Sequence, residues 1–155
     1  PPACDRPVIA AGNISFQFLH TPFRLRHRTA VRSWLEHCMA VHGHTAGNLA
    51  FLFTNDEEML RFNQQHLNHN YFTDILTFPT PSAIGLSADI VISIDRVRDN
   101  AKTLGIKPID ETHRVIAHGV LHLTGLKDDT PEAESSMRQA EESWLSKRQP
   151  PLTKH

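Results

Sequence analysis

The sequence has 155 residues, of which 39% are hydrophobic and 21% charged, and this is enough chain to bury a core without disulfide or metal support. Its 16 Lys and Arg nearly balance its 17 Asp and Glu, and the net charge of −1 argues against a protein that coats nucleic acid over its whole surface. The unusual feature of the composition is its histidine content of 11 residues, and imidazole is the commonest metal ligand in proteins.

Hydrophobic periodicity predicts four strands and five helices. Alternating or continuous apolar residues indicate the strands, and apolar residues every three or four positions indicate the helices. Asn55, Asp110 and either Asp129 or Thr130 are predicted N-caps, and glycines end several helices. In chain order we expect strand 14–18, a helix from about 27 that Gly43 ends, strand 48–53, a helix from 55, strands 73–78 and 89–94, and helices 97–104, 110–124 and from 131. A second short extended piece is expected at 23–25.

This order of elements favours an α+β fold. Short strands come first and helices cluster at the end, as expected for a mixed sheet of about four strands packed by helices. No repeat or long linker divides the chain, so we expect one domain over residues 1–155, with flexible ends at 1–10 and 149–155.

Cysteine content favours a reduced, cytoplasmic protein. Cys4 and Cys38 are the only cysteines and form no C-x-x-C motif, which excludes a secreted disulfide scaffold. No apolar run approaches the roughly 18 residues of a membrane span. The first residues lack a charged segment followed by an apolar stretch, so they are not expected to be a signal peptide, and no membrane partner is expected.

The segment 118–128 carries the clearest chemical signal. His118 and His122 are one turn apart on one face of the predicted helix, so both imidazoles can converge on one ion. Gly125 ends the helix, and the returning chain brings Asp128 within reach of the same ion. Three protein ligands and an open position are typical of a catalytic zinc site. With 11 histidines, a pair at this spacing also arises by chance.

Three segments resemble the YbeY family of metal-dependent single-strand endoribonucleases. His-Gly-Val-Leu-His-Leu-Thr-Gly-Leu-Lys-Asp at 118–128 is similar to the family's His-Gly-x-Leu-His-Leu-x-Gly-Tyr-Asp-His. The segment 67–79 ends in Thr-Asp-Ile-Leu-Thr-Phe-Pro, which resembles the family's Pro-Thr-Asp-Val-Leu-Ser-Phe-Pro. Residues 88–93 resemble its Gly-Asp-Ile-Val-Ile-Ser strand. The resemblance covers roughly residues 45–145 and implies a metal-binding helix, near the C-terminal third, packed on a mixed sheet.

The resemblance also implies an activity. Family members act in ribosomal RNA maturation and ribosome quality control, so the expected substrate is single-stranded RNA, in particular ribosomal RNA. The ribosome or its proteins are candidate partners. His118, His122 and Asp128 would be the catalytic and metal-binding residues. They would hold one zinc ion, or another divalent metal, that activates the water attacking the phosphodiester.

Two departures from the family pattern bear on this chemistry. Asp128 stands where the family has its third histidine, and a carboxylate lowers the net charge of the ion, so the bound water should be less acidified. Leu67 stands where the family has an arginine after its Leu-Asn-x-x-Tyr segment. A phosphate contact by that arginine is therefore not carried over.

Two alternative functions stay open. A zinc protease or amidohydrolase is disfavoured because Gly119 stands where H-E-x-x-H enzymes place a general-base glutamate. No residue of the motif takes that role here. The other alternative is a non-enzymatic, ribosome-associated binding module whose metal is structural.

Several residues outside the motif are weaker candidates for RNA contact. One basic cluster contains Arg24, Arg26, His27, Arg28 and Arg32. A solvated face is its commoner meaning, but a groove for the RNA backbone needs such charges, so Arg24, Arg28 and Arg32 are candidate RNA contacts. Thr73 and Asp74 could shape the cleft, and His69 lies near them in sequence.

The other histidines and a group of acidic residues are expected to have no role in catalysis or binding. A polar turn is the favoured reading of His42-Gly43-His44, and His113 is expected in the first turn of a helix. Exposed polar residues are the favoured reading of His66 and its surroundings. The sequence predicts a solvated face for four glutamates of the last helix: Glu132, Glu134, Glu141 and Glu142.

Overall fold

The computed structural model describes residues 12–67 and 73–153, and it contains the predicted elements in the predicted order. The strands are β1 Asn13–Phe18, β2 Ala46–Thr54, β3 Ile75–Pro79 and β4 Leu86–Ser93. The helices are α1 Arg28–Val41, α2 Asp56–Leu67, α3 Ile94–Leu104, α4 Pro108–Leu123 and α5 Pro131–Ser146. The expected α+β fold is therefore confirmed, with the histidine motif on and just after α4.

The four strands form one mixed sheet in the order β1-β2-β4-β3. β1, β2 and β4 are parallel, and β3 runs antiparallel to β4 at one edge. One row across the sheet joins Phe16, Phe51, Ile90 and Thr77. Neighbouring strands lie about 4.8 Å apart, so the two edges of the sheet are separated by roughly 14 Å.

Helix α4 packs closely on the sheet because it is apolar and carries a glycine at the contact. Its residues Val115, Ile116, Ala117, Val120 and Leu121 are all buried. A Cβ on Gly119 would lie 2.8 Å from Ile75 Cδ1 and 3.3 Å from Ile90 Cγ2. The glycine therefore lets the helix backbone approach β3 and β4, and this close approach places the neighbouring histidines beside β3.

Side-chain caps confirm two of the predicted helix starts. Asn55 Oδ1 accepts a hydrogen bond of 2.9 Å from the backbone N–H of Glu58 at the start of α2. Thr130 Oγ1 accepts one of 3.0 Å from the N–H of Ala133 at the start of α5. Both bonds satisfy an amide that has no partner inside its helix.

Several element boundaries differ from the sequence predictions, and one predicted extended piece is absent. α4 begins at Pro108 rather than after Asp110, because proline is well suited to the first helical turn. Strand β4 ends at Ser93, whose hydroxyl caps α3 by accepting from Arg96 N–H, so Ile94 begins that helix. Residues 23–25 form no strand.

The end of the chain also differs from expectation. Leu152 is only 3% exposed and packs in the main core, so the tail is not frayed at this residue. Residues 1–11 and 154–155, which include most of the predicted flexible ends, lie outside the described residues. Across the described ranges, no helix combines the length and hydrophobicity that a bilayer crossing requires.

Candidate metal centre

The predicted ligands lie together at the C-terminal end of α4. Asp128 Oδ2 is 3.3 Å from His118 Nε2 and 3.5 Å from His122 Nε2. The three ligand atoms of the group all lie within 4.8 Å of one another. Gly125, with a φ of 105°, provides the turn that returns the chain toward the histidines. The structure thus brings together the three residues that the sequence selected.

A carboxylate fixes the orientation of His118. Its Nδ1 donates a hydrogen bond of 2.6 Å to Oε2 of Glu141, a buried residue of α5. An ionised carboxylate only accepts hydrogen bonds, so the proton of the neutral ring is on Nδ1. The lone pair of Nε2 then points toward Asp128, which is the arrangement found in carboxylate–histidine–metal triads.

A backbone carbonyl fixes the orientation of His122. Its Nδ1 donates a hydrogen bond of 3.1 Å to the carbonyl oxygen of Leu126, which lies in the turn after the helix. A carbonyl oxygen has no proton to give, so Nε2 of His122 is again the atom with the free lone pair. Both histidines are therefore held in the tautomer that presents Nε2 to the same point.

The geometry and charges of this group fit a zinc ion. Tetrahedral zinc with ligands at roughly 2.0–2.2 Å separates neighbouring ligand atoms by about 3.4 Å. The separations of 3.3 and 3.5 Å between Asp128 and the two histidines match this value. With both rings neutral, the two lone pairs face a carboxylate oxygen, and a cation between them stabilises this arrangement. No fourth His, Cys, Asp or Glu of the described ranges joins the group.

Behind His118 lies a partly buried network of charged side chains. Arg114 Nη1 donates to Glu141 Oε1 at 2.9 Å, and Arg114 Nε donates to Glu111 Oε1 at 2.8 Å. Burial alone would raise the pKa of Glu141, but the hydrogen bonds from His118 and Arg114 lower it below its usual value. The hydrogen bond to Glu111 is the largest cause of a raised pKa at Arg114. Glu141 thus stays ionised and can orient His118.

A cleft of about 450 Å³ opens in front of the metal ligands. Its lining includes His118, His122 and Asp128 on one side, and Thr73, Asp74 and most of β3 on the other. Burial raises the pKa of Asp74, although the Arg114 guanidinium 4.0 Å away opposes this effect. Two of the weaker candidates, Thr73 and Asp74, therefore share a cleft with the metal ligands.

The basic cluster lies elsewhere. The guanidinium groups of Arg24 and Arg28 lie over the Phe18 ring, and that of Arg32 lies over the Phe16 ring. Both phenylalanines belong to β1, at the opposite edge of the sheet from β3. The structure does not bring these arginines into the metal cleft. His69 lies outside the described residues.

Three of the other histidines pack against aromatic side chains. His42 Nε2 accepts a hydrogen bond of 3.2 Å from Trp144 Nε1, and the ring of His66 lies between Phe62 and Phe78. His113 lies in the second turn of α4 rather than the first. It is 1% exposed and packs against Trp34. None of these residues belongs to the metal group.

The residues that support the ligands were not predicted from the sequence. Glu141 was assigned to a solvated helix face, but it is 4% exposed. The assignment was wrong because Met137, Glu141 and Trp144 lie at helical spacing on the buried face of α5. Apolar residues at helical spacing on both sides, Met137 and Trp144, were a sequence signal that this glutamate faces inward, where it needs a charged partner. Glu111 and Arg114 carried no comparable signal.

Comparisons with known proteins identify the family to which the chain is similar. Residues 19–149 match the family described as Endoribonuclease YbeY. The chain is 44% identical over 122 residues to Endoribonuclease YbeY of Porphyromonas gingivalis, which spans 79% of this chain and 80% of that protein. It is 43% identical over 129 residues to Endoribonuclease YbeY of Cytophaga hutchinsonii, at 83% and 90% coverage.

The fold has a solved counterpart. A solution structure from Thermotoga maritima aligns with a TM-score of 0.61 over 87% of this chain and 88% of that one. The sequence identity is 19%, so this likeness bears on the fold alone.

Proposed function

This chain belongs to the YbeY family of endoribonucleases, and from that premise we propose that it hydrolyses single-stranded RNA in ribosomal RNA maturation and ribosome quality control, with a zinc ion held by His118, His122 and Asp128. The observation that carries the proposal is the convergence of both Nε2 atoms on Asp128, with separations of 3.3 and 3.5 Å. These three side chains would be its catalytic and metal-binding residues, in a single domain over residues 1–155 located in the cytoplasm.

The residues of the site have different roles in binding the ion and supporting its chemistry. When bound, zinc supplies Lewis-acid polarisation of a phosphoryl oxygen and lowers the pKa of a coordinated water. Glu141 and the Leu126 carbonyl keep the two imidazoles in the ligand tautomer. Asp128 contributes a negative charge, which makes the ion a weaker acid catalyst than a third imidazole would.

The open cleft supports catalysis over a purely structural metal. A structural zinc site is closed by four protein ligands, whereas the described residues supply three, and these line a cleft of about 450 Å³. Gly119 opposes the protease alternative. Its position against Ile75 and Ile90 leaves no room for the glutamate that H-E-x-x-H proteases use as general base.

The candidate RNA contacts fall into two regions. Thr73 and Asp74 lie in the metal cleft, where the hydroxyl and carboxylate can hydrogen-bond a ribose or a base next to the cleaved bond. Arg24, Arg28 and Arg32 lie at the far edge of the sheet, so we assign them to phosphates at a distance from the cleaved bond. His69 and a ribosomal partner remain predictions from the sequence.

An RNA cleavage assay with metal analysis tests the proposal. We expect purified wild-type protein to bind one zinc ion, and His118→Ala to lose it. Cleavage of a single-stranded RNA should stop with a chelator or in His122→Ala, and should return when zinc is restored to the wild type. Cleavage that is indifferent to both treatments would contradict the proposed centre.

A further inference from the structure

The edge strand β3 turns one side of its backbone toward the metal cleft. In the order β1-β2-β4-β3, it pairs with β4 and has no strand on its other side in the described part of the chain. The same strand forms one wall of the cleft that contains His118, His122 and Asp128. Backbone groups on the open side of β3 therefore lie next to the metal centre.

The hydrogen-bond pattern shows which backbone groups face away from β4. In an antiparallel pair, alternate residues direct both N–H and C=O toward the neighbouring strand, and the residues between them direct both groups away. Ser93 N–H donates to the Asp74 carbonyl at 2.9 Å, and Thr80 N–H donates to the Ser87 carbonyl at 3.0 Å. The even-numbered residues of β3 therefore bond to β4.

The odd-numbered residues of β3, which are Ile75, Thr77 and Pro79, point their backbone groups to the open edge. Pro79 gives independent support, because proline occurs within a strand only where no N–H is needed for the ladder. Thr77 is the middle residue of the three, with both a donor and an acceptor. Within residues 12–67 and 73–153, neither of these groups has a hydrogen-bond partner.

We propose that the open edge of β3 binds the extended backbone of the RNA substrate, with Thr77 N–H donating to a phosphate oxygen and Thr77 C=O accepting from a ribose 2′-hydroxyl. This inference rests on the proposed function. The edge is continuous with the metal cleft, so a strand bound along it places a phosphate near the ligands.

The shape of a strand edge also explains a preference for single strands. Outward groups on alternate residues repeat every ~6.8 Å, and only an extended chain can follow such a row. Single-stranded RNA can extend, whereas the backbone of an A-form duplex is held in a helix and its major groove is too deep and narrow for protein groups to enter. The 2′-hydroxyl, which is both donor and acceptor, would distinguish RNA from DNA at the Thr77 carbonyl.

Two substitutions at one position separate the backbone from the side chain. Thr77→Pro removes the outward N–H at a position where the ladder does not use it, and Thr77→Val keeps the N–H while removing the hydroxyl. We expect Thr77→Pro to raise KM for a single-stranded RNA at least about tenfold relative to Thr77→Val, because a hydrogen bond to a charged phosphate is lost. Equal KM values for the two folded variants would overturn the proposal.

Amide hydrogen exchange provides a readout that needs no change in β3. The full-length His122→Ala variant, which should not cleave, is mixed with a single-stranded RNA decamer, and exchange is followed by NMR. We expect the Thr77 amide to exchange quickly in the free protein and slowly with RNA, while the Leu76 and Phe78 amides are slow in both. A DNA decamer of the same sequence should protect Thr77 less.

The possible failures can be told apart. If RNA binds without slowing exchange of the Thr77 amide, the strand-edge proposal is wrong and the proposed endoribonuclease function is unaffected. Wild-type protein that neither binds nor cleaves RNA would instead contradict the proposed function itself.

Discussion

His118 Nδ1 lies 2.6 Å from Glu141 Oε2, so a residue 23 positions later in the chain sets the tautomer of a metal ligand. The same carboxylate accepts a hydrogen bond from Arg114 through its other oxygen. Metal binding at the end of α4 is thereby coupled to the packing of α5 against it. Carboxylate partners of this kind raise ligand basicity and fix the ring.

Removing the charge of Glu141 should weaken metal binding. We expect Glu141→Gln to raise the zinc Kd about 10–100-fold, because a neutral amide holds His118 less firmly and leaves Arg114 without one of its charged partners. Competition with a chromophoric chelator measures this change. Glu142→Gln, at the exposed neighbouring position, is the matched control and should bind zinc as the wild type does. Equal zinc affinity in both variants would show that Glu141 has only a structural role.

The ligands were predictable from sequence because their geometry is local. His118 and His122 lie one turn apart on a helix, and Asp128 follows six residues after His122, so helix geometry and the chain reversal at Gly125 bring the group together. Glu141 belongs to another helix, and its inward direction depends on how α5 packs on α4. Such tertiary contacts leave only an indirect trace in the sequence, which here is the apolar type of Met137 and Trp144 at helical spacing from Glu141.

The fold was predictable for similar reasons, and its differences have physical causes. Apolar periodicity and the caps at Asn55 and Thr130 are local signals, and the structure confirms them. The end of β4 was misplaced because Ile94 continues an apolar run, whereas the Ser93 hydroxyl already caps α3. Periodicity likewise did not reveal that the edge of β3 stays open beside the metal cleft.

The carboxylate that replaces the family's third histidine should be required for metal binding. We expect Asp128→Ala to lower zinc affinity at least tenfold and to abolish RNA cleavage at limiting zinc, because only two protein ligands remain. Asp129→Ala is the control, since the neighbouring carboxylate is exposed and outside the metal group. Zinc titration of both variants, with cleavage measured in parallel, tests this. Full zinc binding by Asp128→Ala would remove Asp128 from the ligand set.

The close contact of Gly119 with the sheet should make this position sensitive to size. A Cβ would meet Ile75 Cδ1 at 2.8 Å. We therefore expect overpacking in Gly119→Ala to lower the free energy of unfolding by about 1–3 kcal/mol. The higher helix propensity of alanine offsets up to about 1 kcal/mol of this loss. Urea denaturation measures the loss. In an Ile75→Val background, which lacks the contacting methyl group, the same substitution should cost less. An equal cost in both backgrounds would place the strain elsewhere.

The arginines at the far edge of the sheet should affect long RNA more than short RNA. Arg28 lies over Phe18 on β1, roughly 14 Å across the sheet from the strand that lines the metal cleft. We expect Arg28→Gln to weaken binding of a long single-stranded RNA and to lower the log–log salt slope by about 1, because one phosphate contact is lost. A short oligomer confined to the metal cleft should bind this variant as it binds the wild type. Arg138→Gln, an exposed change on α5, is the charge-matched control. Fluorescence anisotropy across a salt series measures the binding of each of the two variants to the long and to the short RNA. If both variants lower the salt slope equally, attraction by the overall charge, rather than a site at Arg28, explains the binding.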